Sequence, residues 1–267
     1  MNTYLSYKNS GVEWIGEIPS GWSLKKLKHV SKVVTGNTPP TKDIENYKDG
    51  THLWVKPNEM KGFYPTKDTK EKLTDIGLEL SRVIAPFSVF VNGIGNIGEF
   101  GYSELYVSTN QQINSIVFNK KVLKKFGIYH TSFMKEGFLS NSEKVVVPIL
   151  NQTKQSNLHF VLPPHQEQQQ ISDYLDYKTS KIDMLIDKTS HKIQLLNEQR
   201  TQLINGTITS GLNPNTNKKY SGVEWIGNIP EHWKHIKIKW ITELVTDGSH
   251  FSPDIVDEGQ TYVTVSD

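Results

Sequence analysis

A ten-residue phrase occurs twice in this chain. Ser10-Gly-Val-Glu-Trp-Ile-Gly-Glu-Ile-Pro19 returns as Ser221-Gly-Val-Glu-Trp-Ile-Gly-Asn-Ile-Pro230, and Trp22 is matched by Trp233. The copies stand 211 positions apart, far beyond the roughly 20–50-residue period of a solenoid. Such spacing describes two large modules, each opened by the same lead-in segment. Trp225 through Thr246 follow Trp14 through Thr35 without a gap, and Gly259–Val263 resembles Gly50–Val55. On that alignment Asp267 corresponds to about Glu59. The second module is therefore expected to be only a beginning. A sheet interrupted so early has an uncovered edge and half a core, so residues 212–267 are expected to be poorly stabilised.

Between the copies the sequence changes character once. Residues 1–23 are irregular, and Trp14 and Trp22 are expected to pack this segment onto the adjoining domain. Leu24–Val34 reads as strand at its valine-rich end. From Gly36 to about Asn119 the chain is β-rich and punctuated by Gly, Pro and Asn. Strands are expected over His52–Lys56, Ser88–Val91, Leu105–Val107, Ile113–Phe118 and Val145–Val147, and helices over Leu73–Leu80 and Val122–Glu136. Residues 24–162 thus predict an α+β domain around a twisted sheet.

After Pro163-Pro164 there is no Gly or Pro from His165 to Asn205. Leu175, Ile182, Thr189, Leu196 and Leu203 fall at sevens, and Thr179, Ile186, Ile193 and Arg200 sit four residues after the first four of them. This is a heptad with a mixed seam. A forty-residue helix is about 60 Å long, and one with a single apolar stripe needs a partner helix. Gly206 and Gly211 are expected to end it, and Asn213–Lys219 reads as a polar linker.

Composition narrows the chemistry. No run approaches the roughly eighteen apolar residues of a membrane helix, and the first residues lack a signal peptide's apolar stretch. Zero cysteines exclude disulfides and thiolate metal sites and suit a reducing interior, so the cytoplasm is the expected location. Thirty basic residues against 28 acidic give a net charge of +2, so any nucleic-acid contact must rest on local charge. Lys25–His29 and Lys120–Lys125 are such clusters, although a solvated face explains either one alone.

No catalytic constellation is present. Phosphate-loop, zinc-helix and nucleophile-elbow patterns are missing, and the nine histidines lack ligand spacing. Gly93-Ile-Gly-Asn-Ile-Gly98 fits G-x-G-x-x-G but is followed by turn and strand residues, whereas a dinucleotide fingerprint opens a helix. Its glycines are expected in positive-φ turns or at a close backbone approach. Asn92, Asn96, Asn110, Gln111 and Gln112 carry the donor–acceptor pairs that read adenine edges. Turn chemistry is the competing explanation for the asparagines.

Taken in order, several segments resemble the specificity (S) subunits of type I restriction-modification systems. Trp14–Trp22 is similar to that family's lead-in to a target-recognition domain. Val34-Thr-Gly-Asn-Thr-Pro-Pro40 followed by Leu53–Glu59 is similar to its first strands and loop. Gly93–Gly101 and Ser108–Ile113 are similar to its central Gly-rich turn and Asn-Gln stretch. Leu162-Pro-Pro-His-Gln-Glu-Gln-Gln-Gln-Ile171, leading to Leu203-Ile204, resembles its spacer helix. The resemblance covers essentially the whole chain.

It implies an α+β, β-rich target-recognition domain over 1–162 with its lead-in at 10–23, a coiled-coil-forming spacer helix over 163–211, and an incomplete second recognition domain over 212–267. It implies double-stranded DNA, methyltransferase (modification) subunits and a restriction subunit as partners, and a split DNA site as target. Catalysis and metal sites would be absent, with S-adenosylmethionine held by the methyltransferase. Expected DNA contacts are Asn37, Thr38, Lys42, Lys56, Asn58, Asn92, Asn96 and Gln111. Leu175, Ile182, Ile186, Ile193, Leu196 and Leu203 would pack the helix, either in a homodimer or against another subunit. The competing expectations are an inactive remnant or recombination cassette, a coiled-coil adaptor that ignores DNA, a carbohydrate-binding module and, on Gly93–Gly98 alone, an oxidoreductase.

Overall fold

The computed structural model describes residues 4–143 and 147–246. The chain divides into two compact units, one running to Met184 and the other starting at Leu185. The first unit opens with a hairpin of β1 (Tyr7–Asn9) and β2 (Glu17–Pro19), then β3 (Ser23–Lys26) and β4 (Ser31–Thr35). Next come β5 (His52–Val55), β6 (Lys72–Leu73), the short α1 (Asp75–Glu79), β7 (Val83–Ile84), β8 (Val89–Asn92), β9 (Phe100–Tyr102), β10 (Val107–Thr109) and β11 (Ile113–Phe118). Three short helices come after them: α2 (Lys124–Phe133), α3 (Lys135–Ser140) and α4 (Gln152–Asn157). The strand β12 (His159–Leu162) precedes the long helix α5 (His165–Ser210).

Two four-stranded sheets carry this unit. One has the order β4-β11-β8-β9 and is antiparallel throughout. The other has the order β6-β5-β10-β7, in which β5 and β10 run parallel. Period-two alternation lets the first sheet wall off two cores. Val33, Val89, Val91 and Ile116 face the larger core, where Phe126 and Ile128 of α2, Phe138 of α3 and Phe160 of β12 meet them. The alternate residues, Val34, Phe90, Ile113 and Val117, face a smaller core shared with Leu53, Val55, Ile84 and Val107 of the second sheet. Burying such large apolar side chains stabilises the fold by roughly 1.5–3 kcal/mol each.

Strand β12 pairs antiparallel with β3, so the chain returns beside its early strands before the long helix. The long helix then starts from a fixed point. Buried Gln168 donates through Nε2 to the Pro163 and Lys121 carbonyls, each at 3.0 Å, and accepts the Leu123 N–H through Oε1 at 2.8 Å. Every polar atom of a buried carboxamide is thereby engaged, as burial demands.

Some expectations shift. The Leu24–Val34 stretch forms two strands separated by a turn of 3-10 helix at Leu27–His29, and Leu105–Val107 pairs two residues later, over Val107–Thr109. The expected helix 122–136 breaks at Met134 into α2 and α3. The expected strand at Val145–Val147 falls largely outside the described residues. Helix α5 runs through Gly206 and stops at Gly211, whose φ is +73°. Nothing crowds Gly206, and an interior helical glycine costs only about 1 kcal/mol.

The second unit contains the later part of α5 and a hairpin of β13 (Lys218–Tyr220) and β14 (Asn228–Pro230). The repeated phrase is thus a repeated structure. Tyr7 pairs with Pro19 and Lys218 with Pro230, the same register. Gly16 and its counterpart Gly227 hold φ values of +69° and +68°. The surroundings differ, however. Trp14 packs on Gly137 and Phe133, whereas its counterpart Trp225 is 85% exposed. Leu27 is buried, while its counterpart Ile238 is exposed. Gly259–Val263, the stretch that resembles Gly50–Val55, lies outside the described residues.

Candidate nucleic-acid interface

The exits of three strands meet at one end of the two sheets. Beyond β4, Gly36 donates its N–H to the Ile113 carbonyl and Asn37 to the Thr109 carbonyl, both at 2.9 Å. Beyond β10, Asn110 donates to the carbonyl of Val55, the last residue of β5, at 3.1 Å. Gly36 is required by the closeness of this approach, because a Cβ there would lie 2.1 Å from the Thr109 carbonyl oxygen. Three loops are therefore held by backbone, and their side chains are presented from a rigid base.

On this base Thr38 donates its hydroxyl to Gln111 Oε1. The Trp54 indole N–H donates to the Asn37 carbonyl at 3.3 Å, and Tyr47 donates its hydroxyl to the Pro39 carbonyl at 2.6 Å. Burial, with Glu71 adding to it, raises the Tyr47 phenol above its ordinary pKa and keeps it a neutral donor. Lys56 lies 4.7 Å over the Trp54 ring and pairs with Glu71 at 2.5 Å. Asn37 donates through Nδ2 to the Leu80 carbonyl at 2.6 Å and accepts the Arg82 N–H at 3.0 Å. The Arg82 guanidinium donates through Nη1 to the Thr35 carbonyl at 2.6 Å.

The structure thus gathers Asn37, Thr38 and Gln111, with Lys56 beside them through Trp54. Lys42 and Asn96 are exposed on separate loops, and Asn58 is exposed on a turn of 3-10 helix at Pro57–Glu59. Asn92 needs a correction. It is the last residue of β8 and only 4% exposed, so its amide faces the interior and presents nothing to a duplex. Its backbone N–H closes the turn by donating to the Glu99 carbonyl at 2.8 Å. The Gly93–Gly98 stretch connects strand β8 to strand β9, with Gly95 and Gly98 at positive φ, and does not open a helix.

Sequence reasoning overlooked three contributors. Arg82 is one, its only signal being that the chain has two arginines among its 30 cations. The others are Asn114, which accepts from the Thr35 hydroxyl at 2.7 Å and donates to the Leu150 carbonyl at 2.9 Å, and Gln152, which donates to the Val33 carbonyl at 2.8 Å. Both support the strand ends from below.

The two lysine clusters adjoin elsewhere. Asn119 and Lys121 each donate to the His29 carbonyl at 3.3 Å. That contact lies at the opposite end of β4 and β11 from Gln111, since Ser31 pairs with Phe118 and Thr35 with Asn114. Among the described residues no group of three or more His, Cys, Asp or Glu could hold a metal ion, and no helix is long and apolar enough to cross a membrane.

Along α5, Leu175 is half-buried beside Trp22, Ile171 and Val161. Ile182, Ile186, Ile193, Leu196 and Leu203 are between 52% and 69% exposed. The heptad positions therefore form an open apolar stripe over the later part of the helix.

The family model for the type I restriction modification DNA specificity domain matches residues 19–195. The MjaVIII specificity subunit of Methanocaldococcus jannaschii is 24% identical over 244 residues, covering 88% of this chain and 52% of that protein. The MjaIX specificity subunit of the same organism is 25% identical over 195 residues, covering 71% of this chain and 44% of that protein. The chain thus spans about half the length of these curated relatives. A solved chain described under complex assembly and conformational transition of the type I R-M system superposes with a TM-score of 0.59 at 17% identity, over 75% of this chain and 48% of that one. That likeness concerns the fold.

Proposed function

The chain belongs to the type I restriction modification DNA specificity domain family, and on that premise we propose that it is a DNA-recognition component of a type I restriction-modification complex. The observation that carries this reading is the convergence of Thr38, Gln111 and Arg82, the last braced by Asn37, on a loop base fixed by backbone hydrogen bonds. Such a base positions polar side chains against base edges, where sequence is read, while cations on flanking loops hold phosphates. The chain's part is recognition, and the chemistry belongs to methyltransferase (modification) subunits, which carry S-adenosylmethionine, and to a restriction subunit. Its setting is the cytoplasm.

The exposed stripe on α5 supports a further element of this reading, a partner helix. We assign that partner to α5 of a second copy, giving a closed two-fold pair that presents two recognition modules to a split palindromic site. The test is methylome sequencing of cells that express the chain with its modification subunits. A palindromic split motif is the expected result. Its absence, together with no retardation of duplex DNA by the purified chain and modification subunits, would return the chain to the reading of a coiled-coil adaptor or an inactive cassette.

A further inference from the structure

Resting on the reading of this module as a DNA-recognition surface, we infer that Arg82 reads a guanine and that Asn37 is the residue that positions it. The chain uses lysine for 28 of its 30 cations. A point charge is enough to hold a phosphate, and lysine supplies it at every other cationic position except Arg200. A planar fork with five N–H donors matches guanine O6 and N7 in a fixed, pre-organised plane, whereas lysine reaches the same atoms only as a flexible point charge.

The local geometry separates the two roles. Asn37 offers Nδ2 to the Leu80 carbonyl and Oδ1 to the Arg82 N–H, bracing both sides of Ser81. The donor–acceptor face that an asparagine would turn to adenine is therefore occupied by the chain's own backbone. Arg82 immediately precedes β7 and engages one guanidinium nitrogen with the Thr35 carbonyl at 2.6 Å. Among the described residues no carboxylate pairs with it. A guanidinium tied at one corner keeps its orientation and has donors left for a ligand. Lys56 differs on both counts, being paired with Glu71 and lying over Trp54. Arg82 also stands beside the Thr38–Gln111 pair, because Asn37 joins the two segments.

The test uses the full chain with its modification subunits and a library of randomised duplexes. Wild-type selection is expected to fix a guanine at one position. R82A removes the contact, so discrimination at that position alone should fall by about 5- to 150-fold, and R82K, which keeps the charge without the fixed plane, should lose less. N37A should weaken the same position and add little in the R82A background, a coupling that an independent structural role would not produce. Because Arg82 also holds the Thr35 carbonyl, a second measurement leaves the protein untouched. Replacing the selected guanine by 7-deazaguanine, which lacks N7, should weaken wild-type binding several-fold and R82A binding hardly at all. Undiminished selection of the same guanine by R82A, or equal wild-type affinity for the 7-deaza duplex, would overturn the inference while leaving the recognition reading intact. A uniform loss over all sequences in R82A, with the salt slope reduced by about 0.9, would identify a phosphate contact and overturn it as well. Failure of the wild-type complex to select any sequence would remove the recognition reading itself, and this inference with it.

Discussion

Trp22 donates its indole N–H to Oε2 of Glu167 at 2.7 Å, across 145 residues of chain. Tyr4 donates its hydroxyl to the same oxygen at 2.9 Å and meets the Trp22 ring edge-on at 5.7 Å. Glu167 sits in the first turn of α5, where a carboxylate also favours the helix dipole. The lead-in segment is thereby tied to the start of the long helix. Glu167→Ala removes an acceptor from two donors and should cost about 1–3 kcal/mol in urea unfolding. Glu167→Gln keeps an oxygen but loses the charge, and should cost less. Equal stability of all three proteins would show that the contact contributes nothing.

A buried imidazole predicts a pH dependence. His130 stacks on Phe160 with ring centroids 3.9 Å apart, and its Nε2 accepts the Val161 N–H at 3.1 Å. Nδ1 therefore carries the proton of the neutral ring. Desolvation lowers the His130 pKa from 6.5 to about 3. Below pH 6.5 the unfolded chain binds a proton that the folded chain refuses. Stability attributable to this group is thus present above that pH and falls as pH drops toward 3, by up to tenfold in the folding equilibrium per pH unit. His130→Phe should flatten the slope of unfolding free energy between pH 6 and 4 relative to wild type. Parallel slopes would contradict the assignment.

Gly36 gives a prediction that links stability to recognition. An added Cβ would meet the Thr109 and Asn110 carbonyl oxygens at 2.1 and 2.2 Å. Both are backbone atoms, so the strand exits must separate. Gly36→Ala should destabilise the protein by about 1–3 kcal/mol or more and weaken DNA retardation, because the Thr38–Gln111 pair spans that seam. Gly16→Ala has open space around it and only its φ of +69° to strain it, so it should cost less and leave DNA affinity unchanged.

Much of this architecture was legible in the sequence, and the parts that were not share a cause. The β-forming residues of Ile113–Phe118 between turn residues announced a strand, and the absence of Gly and Pro after Pro164 announced α5. The repeated phrase announced a repeated module, but it read as irregular, and the hairpin that each copy forms in one register was not foreseen. Periodicity names an element but not its partner. The parallel pairing of β10 with β5 and the return of β12 to β3 are long-range choices that no local pattern records. The same limit governed the site. Asn92 beside a glycine looks like a turn residue, yet the strand carries it inward to 4% exposure. Gln168 in a glutamine run looks solvated, yet it saturates three backbone groups at the root of α5. Arg82 lies in a stretch without period, so only its rarity could have singled it out.

The open stripe of α5 yields the last prediction. Ile186, Ile193 and Leu196 are each more than half exposed in a single copy. Replacing Ile186 and Ile193 by Glu should therefore change the stability of one folded copy little, within about 0.5 kcal/mol per exposed site. In a helix pair the same residues occupy the seam, where two buried carboxylates per helix carry a severe desolvation cost. Wild-type protein is expected to sediment as a dimer at micromolar concentration and the double variant as a monomer with an unchanged β-sheet circular dichroism signal. Restored association in a mixture with an Ile186→Lys/Ile193→Lys partner would place the two helices face to face through charge complementarity. Monomeric wild-type protein across the whole concentration range would exclude pairing between copies.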